Sequence, residues 1–339
     1  MTQKIGMAIV GIGPGAIPHL AALNDLRSRM DLRWAITRKP EVAQLGAFAN
    51  DLKASPDLDA ALHDPGVQVV TICTPPSTHL EFATRCFEAD KHVLLEKPLD
   101  LTIQRSRQIV LLGRQHGVKL GVVLQHRFRE GAVVLRNLLK EGRLGSVQMG
   151  NVAIPWWRPQ VGYYDQAGRG TRARDGGGVL ITQAIHTLDL FRSLVGVSQV
   201  VAAQVGNTAV HQMETEDYAQ ALLRLGNGAP GVLSATTVMY PGMRETIEIA
   251  GTLGSAILAG GDLTAKFHDG TELIVKQAAG GTGGGANIMD FPHDWHCDLI
   301  SDFLDAVQTG RDPIVTGEEA LATHQLIEDV LAASGYSTP

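Results

Sequence analysis

The sequence predicts two domains: an α/β domain with a parallel sheet, followed by a domain rich in antiparallel strands. Its 339 residues exceed the roughly 100–200 residues of a typical domain. Early in the chain, short apolar strands alternate with helical patterns, as in parallel sheets. Later strand patterns follow one another across short Gly, Asn and Pro turns, which favours antiparallel pairing. We place the boundary between residues 1–122 and 123–339.

Bulk composition excludes several classes of protein. Hydrophobic residues make up 44% of the chain and charged residues 19%, a balance that can fill cores and is unlike disorder. A net charge of −6 without a basic stripe argues against a nucleic-acid partner. No apolar run could span a bilayer and no signal-peptide pattern precedes the first strand, so we expect no membrane partner and a cytoplasmic location.

A strand–turn–helix pattern opens the chain. Residues 4–10 form an apolar strand, and a helical pattern follows the turn. Gly11, Gly13 and Ala16 fit the pattern G-x-G-x-x-G/A, in which the first glycine makes the turn and the second lets the backbone approach a pyrophosphate. The helix N-terminus attracts the phosphates. We therefore predict a dinucleotide site in which the turn contributes Gly11, Ile12, Gly13, Pro14, Gly15 and Ala16.

The residues after the second strand bear on the choice of cofactor. An NAD enzyme usually has Asp or Glu there for the ribose hydroxyl, but this strand runs into Thr37, Arg38 and Lys39. A carboxylate would repel a 2′-phosphate, whereas Arg38 can bind one with two hydrogen bonds. This favours NADP over NAD. Alternatively, Arg38 and Lys39 are solvated loop charges and either cofactor is used.

Two further strands end in motifs at the same edge of the predicted sheet. Residues 67–73 are continuously apolar, as in buried parallel strands, and lead into T-P-P-S-T-H; residues 92–95 lead into E-K-P. Charged residues at the carboxyl end of a central parallel strand point into the crevice where such sheets bind ligands. Taken alone, E-K-P is more often a surface turn. The further predicted cofactor contacts are Thr37, Arg38, Thr74, Pro75, Pro76, His79, Glu96 and Lys97.

Together these motifs resemble the Gfo/Idh/MocA oxidoreductases, such as glucose–fructose oxidoreductase and inositol dehydrogenase. The likeness rests on G-I-G-P-G-A, C-T-P-P-S-T-H, E-K-P, and G-G-G followed by I-H-T-L-D, in the family's order along essentially the whole chain. It implies an N-terminal Rossmann domain and a C-terminal domain with a large, mostly antiparallel open sheet, through which members form homodimers or homotetramers. It also implies hydride transfer between NAD(P) and an alcohol or ketone carbon of a sugar, sugar derivative or cyclitol.

By this resemblance, Lys97 and His186 match the family's catalytic lysine and histidine, and we expect them to face one crevice. Hydride leaves a carbinol carbon only as its hydroxyl proton departs, so a base must lie within reach. Lysine has a pKa of about 10.4 in water, which burial and a positive nicotinamide would lower, and histidine needs little adjustment. We expect the glycines at 176–178 to let the helix of His186 begin close to the substrate or nicotinamide. Alternatively, His186 is a core histidine.

At Thr182 the chain departs from the family, because many members have Asp or Asn there. A carboxylate would raise the pKa of the imidazole and orient it, whereas a hydroxyl can only form hydrogen bonds. The departure puts a Lys–Asp–His relay in doubt and leaves the proton chemistry to Lys97 and His186.

An aromatic and arginine-rich stretch precedes the glycines. Aromatic faces pack on sugar C–H surfaces and arginines bind anionic groups, which hints at a uronate or a nucleotide-sugar, with Arg158, Arg169, Arg172 and Arg174 as the candidate arginines. Alternatively, two of the aromatics belong to the core and most of the arginines to the surface. The predicted substrate contacts are Arg127, Trp156, Trp157, Tyr163, Arg169, Thr182, Gln183, His186 and His296.

Two segments and two other activities complete the expectations. Residues 293–297, H-D-W-H-C, invite a metal, but hydride transfer in this family needs none, so we predict no metal. The glycine-rich residues 279–287 lack the Lys-Ser/Thr of a phosphate loop and suggest a flexible flap or, alternatively, a disordered segment with no role. An NAD-dependent glycosidase-type enzyme without net redox stays open, as does a non-catalytic dinucleotide or sugar sensor.

Overall fold

The computed structural model describes residues 4–277 and 292–336, which form two compact units. The first unit comprises residues 1–124 and 292–321, and the second comprises 125–291 and 322–339. The boundary after Leu124 is close to the predicted one, but residues 292–321 belong to the first unit and not, as predicted, to the second domain. They return to it because Arg29 bonds Ser301 and Gly121 lies against the ring of Phe303. The predicted flap at 279–287 lies outside the described residues.

The first unit contains a six-stranded parallel sheet in the order β3-β2-β1-β4-β5-β6, which confirms the predicted Rossmann-type fold. All six residues of β1 are buried, as expected for a central strand covered on both faces. Its strands are β1 (Ile5–Val10), β2 (Met30–Ile36), β3 (Ala54–Ser55), β4 (Val69–Ile72), β5 (His92–Leu95) and β6 (Leu120–Val122). Its helices are α1 (Ile17–Asp25), α2 (Leu58–His63), α3 (His79–Glu88), α4 (Ile103–Gln115) and, from the returning segment, α8 (Asp294–Thr309).

The strand order reverses between β1 and β4, which are parallel neighbours. In open parallel sheets, ligands bind in the crevice at the carboxyl ends of the strands on either side of such a reversal. Gly11 follows β1, Cys73 follows β4, and Glu96 follows β5 at this same edge. The fold therefore brings the three N-terminal motifs of the sequence together.

The second unit contains an eight-stranded sheet in the order β14-β13-β12-β11-β7-β10-β9-β8. Neighbouring strands are antiparallel except β7 and β10, which confirms the predicted large, mostly antiparallel sheet. Its strands are β7 (Val147–Pro155), β8 (Val197–Gly206), β9 (Tyr218–Leu225), β10 (Pro230–Thr236), β11 (Thr246–Gly251), β12 (Gly254–Ala259), β13 (Asp262–Phe267) and β14 (Glu272–Val275). Its helices are α5 (Glu130–Lys140), α6 (Arg172–Asp175) and α7 (Ile185–Val195), and the boundary between the units falls within α9 (Gly317–Ala333).

Two details of this sheet differ from the sequence analysis. Strand β13 was not predicted, because D-L-T-A-K-F contains only two large apolar residues. The apolar pattern of residues 232–240 predicts one strand, but β10 ends at Thr236, because the next amides leave the ladder: Thr237 donates to the Asp217 carbonyl and Met239 to the Trp156 carbonyl.

One face of the eight-stranded sheet carries exposed apolar side chains. The register places Leu222, Val232, Ile257 and Ile274 in a single row across it, interrupted by Asn151, Glu248 and Thr264. These four apolar residues are 43–56% exposed in the chain as described. Separately, none of the described helices has the length and apolar character that a membrane crossing requires.

Candidate active site

The turn after β1 has the shape that a dinucleotide requires. Gly11 has a φ of +93°, and a Cβ there would lie 2.8 Å from the backbone of Cys73, so only glycine fits. A Cβ at Gly13 or Gly15 would meet nothing within 4 Å, and both residues are exposed. A short helical turn from Pro14 to Ala16 leads directly into α1. The open backbone at a helix start fits a diphosphate group, which these residues would hold.

The end of β2 offers positive charge and no carboxylate. Thr37 is half-buried and its amide donates to the carbonyl of Ser55, whereas Arg38 and Lys39 are exposed. The first acidic residue, Glu41, lies in a short 3-10 turn after Pro40.

In the T-P-P-S-T-H loop, His79 has a structural task. Its side chain has no exposed surface; Nδ1 lies 3.0 Å from the carbonyl oxygen of Pro98 and Nε2 lies 2.9 Å from that of Thr74. Burial lowers the pKa of His79, although these carbonyls favour its protonated form. These two contacts of the ring connect this loop to the E-K-P loop. Because the ring is enclosed, the predicted direct contact of His79 with the cofactor is not supported. Thr74, Pro75 and Pro76 stay more exposed.

Glu96 connects a buried histidine to the backbone of Lys97. His19, on α1, donates through Nε2 to Glu96 Oε1 at 2.6 Å, and Glu96 Oε2 accepts from the Lys97 amide at 3.0 Å. The ring of His296, on α8, meets the edge of the His19 ring with centroids 5.1 Å apart. His19 is fully buried, His296 is 2% exposed, and the Glu96 side chain is 19% exposed. We call these three residues the Glu96 cluster.

The Glu96 cluster holds one positive and one negative charge. Burial opposes ionisation of Glu96, but the hydrogen bond and charge of His19 hold its pKa below the usual value. Burial likewise opposes protonation of His19, but Cys73 and then Glu96 raise its pKa to about 10. Burial and the nearby charge of His19 lower the pKa of His296 to about 3. The cluster is thus an ion pair flanked by a neutral imidazole.

Among the residues that the structure describes, two groups of side chains have metal-ligand composition. These are His19 with Glu96 and His296, and Asp25 with His293 and Cys297, each with ligand atoms within 4.8 Å of one another. Two ligands of one tetrahedral zinc ion would lie about 3.4 Å apart. The His19–Glu96 contact of 2.6 Å and the His293–Asp25 contact of 2.8 Å are instead those of directly hydrogen-bonded pairs. The absence of a metal stays a prediction.

In the second unit, the glycine run is shaped by a buried carboxylate. Glu216 accepts from the amides of Gly178, at 2.9 Å, and Leu180, at 3.2 Å, while its own carbonyl accepts from Val179. A Cβ on Gly178 would lie 1.9 Å from that carbonyl oxygen. Burial raises the pKa of Glu216 to about 7. At Gly178 the absence of a side chain is therefore required by packing on Glu216, whereas the approach of the glycine run to substrate stays a prediction.

His186 is half-buried in α7 and packs against a second histidine. The rings of His186 and His126 are tilted by 31° with centroids 5.0 Å apart. His126 Nε2 accepts from Arg129 Nη2 at 2.6 Å, which leaves Nδ1 as the protonated nitrogen, 3.3 Å from Thr187 Oγ1. Arg129 is itself buried and paired with Glu245. A rigid polar layer thus supports one side of the His186 ring.

Before α7, a wide helical turn (Leu180–Ala184) presents Thr182 and Gln183. Thr182 Oγ1 donates to the Gly178 carbonyl and contacts Gln183 Oε1. Gln183 Nε2 donates to Tyr163 Oη at 2.9 Å. This chain of hydrogen bonds joins Thr182, Gln183 and Tyr163, and their contact with substrate stays a prediction.

Two of the predicted substrate residues are held in structural contacts. Arg127 forms a two-pronged pair with Asp189, with Nε–Oδ2 at 2.6 Å and Nη2–Oδ1 at 2.7 Å, and its side chain is 7% exposed. Trp156 is 4% exposed and donates through Nε1 to Glu245. Through these contacts both side chains help to build the second unit. Trp157, half-buried and edge-on to Tyr240, is more accessible.

Sequence reasoning missed His19 and Glu216. The one signal for His19 was its position on the first turn of α1, directly after the dinucleotide turn, and a lone histidine on an apolar helix usually belongs to the core. Glu216 stands 38 residues from Gly178, and nothing in its local pattern indicates that it binds a distant turn.

Comparison with known families places the chain. Residues 5–124 match the model of an oxidoreductase family with an NAD-binding Rossmann fold, and residues 133–257 match the GFO/IDH/MocA C-terminal domain. The chain belongs to the GFO/IDH/MocA family of NAD-binding oxidoreductases, as the resemblance of its motifs implied.

Relatives across this family are similar along most of their length. An uncharacterized oxidoreductase of Synechocystis sp. is 30% identical over 79% of this chain and 75% of its own. A scyllo-inositol 2-dehydrogenase (NAD(+)) of Bacillus subtilis is 25% identical over 94% of this chain and 91% of its own. The structure of the WlbA dehydrogenase from Bordetella pertussis, in complex with NADH and UDP-GlcNAcA, is 26% identical, covers 98% of this chain and 97% of its own, and has a TM-score of 0.81.

Proposed function

We propose that this protein is an NAD(P)-dependent dehydrogenase or reductase that acts on a secondary alcohol or ketone carbon of a sugar or cyclitol. The observation that carries the proposal is the Glu96–Lys97 pair: a lysine follows a central parallel strand, and its amide is fixed by a half-buried carboxylate. The scyllo-inositol dehydrogenase and the WlbA dehydrogenase support a substrate of sugar or cyclitol type.

Lys97 and His186 share the proton chemistry in this proposal. A nicotinamide, when bound, supplies hydride acceptance or donation at the substrate carbon. Lys97 Nζ takes the hydroxyl proton during oxidation and returns it during reduction. His186 is the second proposed proton-handling group, and the tilted ring of His126 packs against its imidazole. Gln183 and Tyr163 bind neighbouring hydroxyl groups.

For the cofactor, NADP(H) is the proposed preference. Arg38 follows β2 where an NAD enzyme would carry a carboxylate, and a guanidinium binds a 2′-phosphate with paired hydrogen bonds. Fluorescence titration of the wild type and Arg38→Ala with NADPH and NADH tests this. We expect the variant to lose about tenfold in NADPH affinity with NADH unchanged; an equal effect on both would contradict the preference.

The exposed row on the eight-stranded sheet suggests a second copy of this chain as its partner, giving a homodimer or homotetramer. Burial of these exposed apolar side chains against a partner is favourable, and two copies of the chain can pair through the same exposed face. Leu222→Asp is expected to lower the mass measured by light scattering, whereas Leu111→Asp, at an exposed position on α4, leaves it unchanged. An oligomer that persists in Leu222→Asp would contradict this interface.

The experiment for the central proposal follows reduced-nicotinamide absorbance with a panel of sugars and cyclitols, with product analysis in parallel. A steady absorbance change that needs substrate supports it. Sugar release from a glycoside without net absorbance change would select the glycosidase alternative. Tight cofactor binding with no chemistry on any substrate would contradict both.

A further inference from the structure

We propose that Arg158 and Arg169 form a subsite for an anionic substituent of the substrate, a carboxylate or a phosphate, beside Tyr163 in the second unit. This inference rests on the proposed function for the identity of the ligand as a sugar-type substrate.

The two guanidinium groups lie near one phenol ring. Arg169 Cζ is 4.7 Å from the centroid of the Tyr163 ring, and Arg158 Cζ is 5.7 Å from it and 5.2 Å from that of Trp156. Arg158 is 4% exposed, and the Arg169 side chain is 25% exposed. The pair therefore combines a buried charge with one that solvent and ligand can reach.

Placing these like charges together has an electrostatic cost. Burial lowers the pKa of Arg158, and the positive charge of Arg169 lowers it further, although Tyr163 and Tyr164 act in the opposite direction. Like charges in a partly buried site repel more strongly than in water, because little water screens them. An anion bound at Arg169 offsets that repulsion and gains charge-assisted hydrogen bonds.

Arg169 is poorly neutralised by the protein. Its nearest carboxylate, Asp175, is 3.9 Å away, and the other oxygen of that carboxylate accepts from the Gly170 amide at 2.8 Å. Arg169 Nε is buried without a hydrogen-bond partner among the described residues. Arg174, by contrast, bonds the Ala167 carbonyl at 2.5 Å and is a solvated side chain of the same segment.

The subsite adjoins the residues expected to bind the sugar. Tyr163 Oη accepts from Gln183, three residues before His186 on the same helical segment. An anion held at Arg169 would therefore lie beside the hydroxyl-binding groups, as a 6-carboxylate or 6-phosphate lies beside a sugar ring. The planar fork of arginine matches either anion with two hydrogen bonds.

Calorimetric titration of the NADPH-loaded protein tests the proposal without turnover. The probes are glucose, galactose and mannose, each as the free sugar, the uronate and the 6-phosphate. In at least one set we expect a charged member to bind the wild type tenfold or more tightly than the neutral sugar, and the two charged arms separate carboxylate from phosphate. Arg169→Gln should reduce that advantage to about twofold or less. Arg174→Gln also removes one positive charge from this segment, but it should preserve the advantage.

Two results would overturn the subsite: no advantage for any charged sugar in the wild type, or an advantage that Arg169→Gln leaves intact. Thermal unfolding confirms that each variant is folded. Charged sugars that bind through Arg169 without being oxidised or reduced would keep the subsite and remove the proposed function. Turnover of neutral sugars with no gain from charge would do the reverse.

Discussion

His19 Nε2 and Glu96 Oε1 are 2.6 Å apart, which joins the first helix of the Rossmann-type unit to the residue before Lys97. The other oxygen of the same carboxylate accepts from the Lys97 amide. A buried ion pair is rarely a net source of stability, but removing one partner strands the other charge. We interpret the pair as a device that fixes the backbone of the proposed base, with His19 as a positioning residue.

His19→Gln should lower kcat about tenfold to a hundredfold, because Glu96 loses its anchor and small displacements of a reacting group are costly. The KM for substrate and the Kd for NADPH should change less than twofold. Steady-state kinetics and fluorescence titration measure both. His63→Gln, at an exposed position on α2, is the control. Equal losses in kcat and in cofactor affinity would instead indicate a general structural defect.

The same variant predicts a pH-dependent difference in stability. The folded-state pKa of His19 is raised from 6.5 to about 10, so its contribution is complete below pH 6.5 and is lost as pH rises through 10. For Glu96 the pKa is lowered, so its contribution is lost as pH falls below its usual value of 4.5. Urea unfolding should show wild type more stable than His19→Gln by about 3 kcal/mol at pH 6, shrinking steadily by pH 10. A gap that widens with pH would refute the ion pair.

Gly178→Ala should destabilise the protein by about 3 kcal/mol or more, because the new Cβ would lie 1.9 Å from the Glu216 carbonyl oxygen. The turn that leads to His186 would have to move. Denaturant unfolding measures the loss. Gly15→Ala is the matched control, since a Cβ there meets nothing within 4 Å, and its stability should equal that of wild type. A stable Gly178→Ala would show that the packing on Glu216 is looser than described.

Gly13→Ala should separate cofactor binding from stability. Its φ of −109° suits any residue and no atom lies within 4 Å of the new Cβ, so the free protein should unfold as wild type does. A methyl group against the diphosphate should nevertheless weaken NADPH binding about tenfold or more. Titration with NADPH and thermal unfolding of the same preparation test this. An unchanged affinity for NADPH would show that the diphosphate does not bind at this turn.

Local patterns predicted much of this fold and part of the site. The glycine turn, the buried strand before T-P-P-S-T-H and the E-K-P motif follow one another in sequence, so strand order alone brings them to one edge. The return of α8 to the first unit could not be predicted, because it depends on contacts such as Arg29–Ser301 between residues 272 apart. The Glu96 cluster and the hydrogen bonds of Glu216 to Gly178 and Leu180 were missed for the same reason.

Spacing also gave incomplete information on side-chain roles. His79 and Trp156 were expected at ligands because their neighbours in the sequence are, yet bonds to the Thr74 carbonyl and to Glu245 hold them in the interior. A motif specifies where a residue lies along the chain, but it does not specify which of its atoms the protein itself bonds. Arg169 shows the converse, since its charge stays accessible beside Tyr163.

The most direct test of the central claim is the turnover of Lys97→Ala, measured by reduced-nicotinamide absorbance with the best substrate of the panel and NADPH binding measured alongside. Removing the proposed base should lower kcat about a thousandfold while the Kd for NADPH stays within twofold, and Lys53→Ala, an exposed lysine of the same unit, should behave as wild type. Turnover of Lys97→Ala within about threefold of wild type would contradict the assignment of Lys97 as the group that moves the substrate proton.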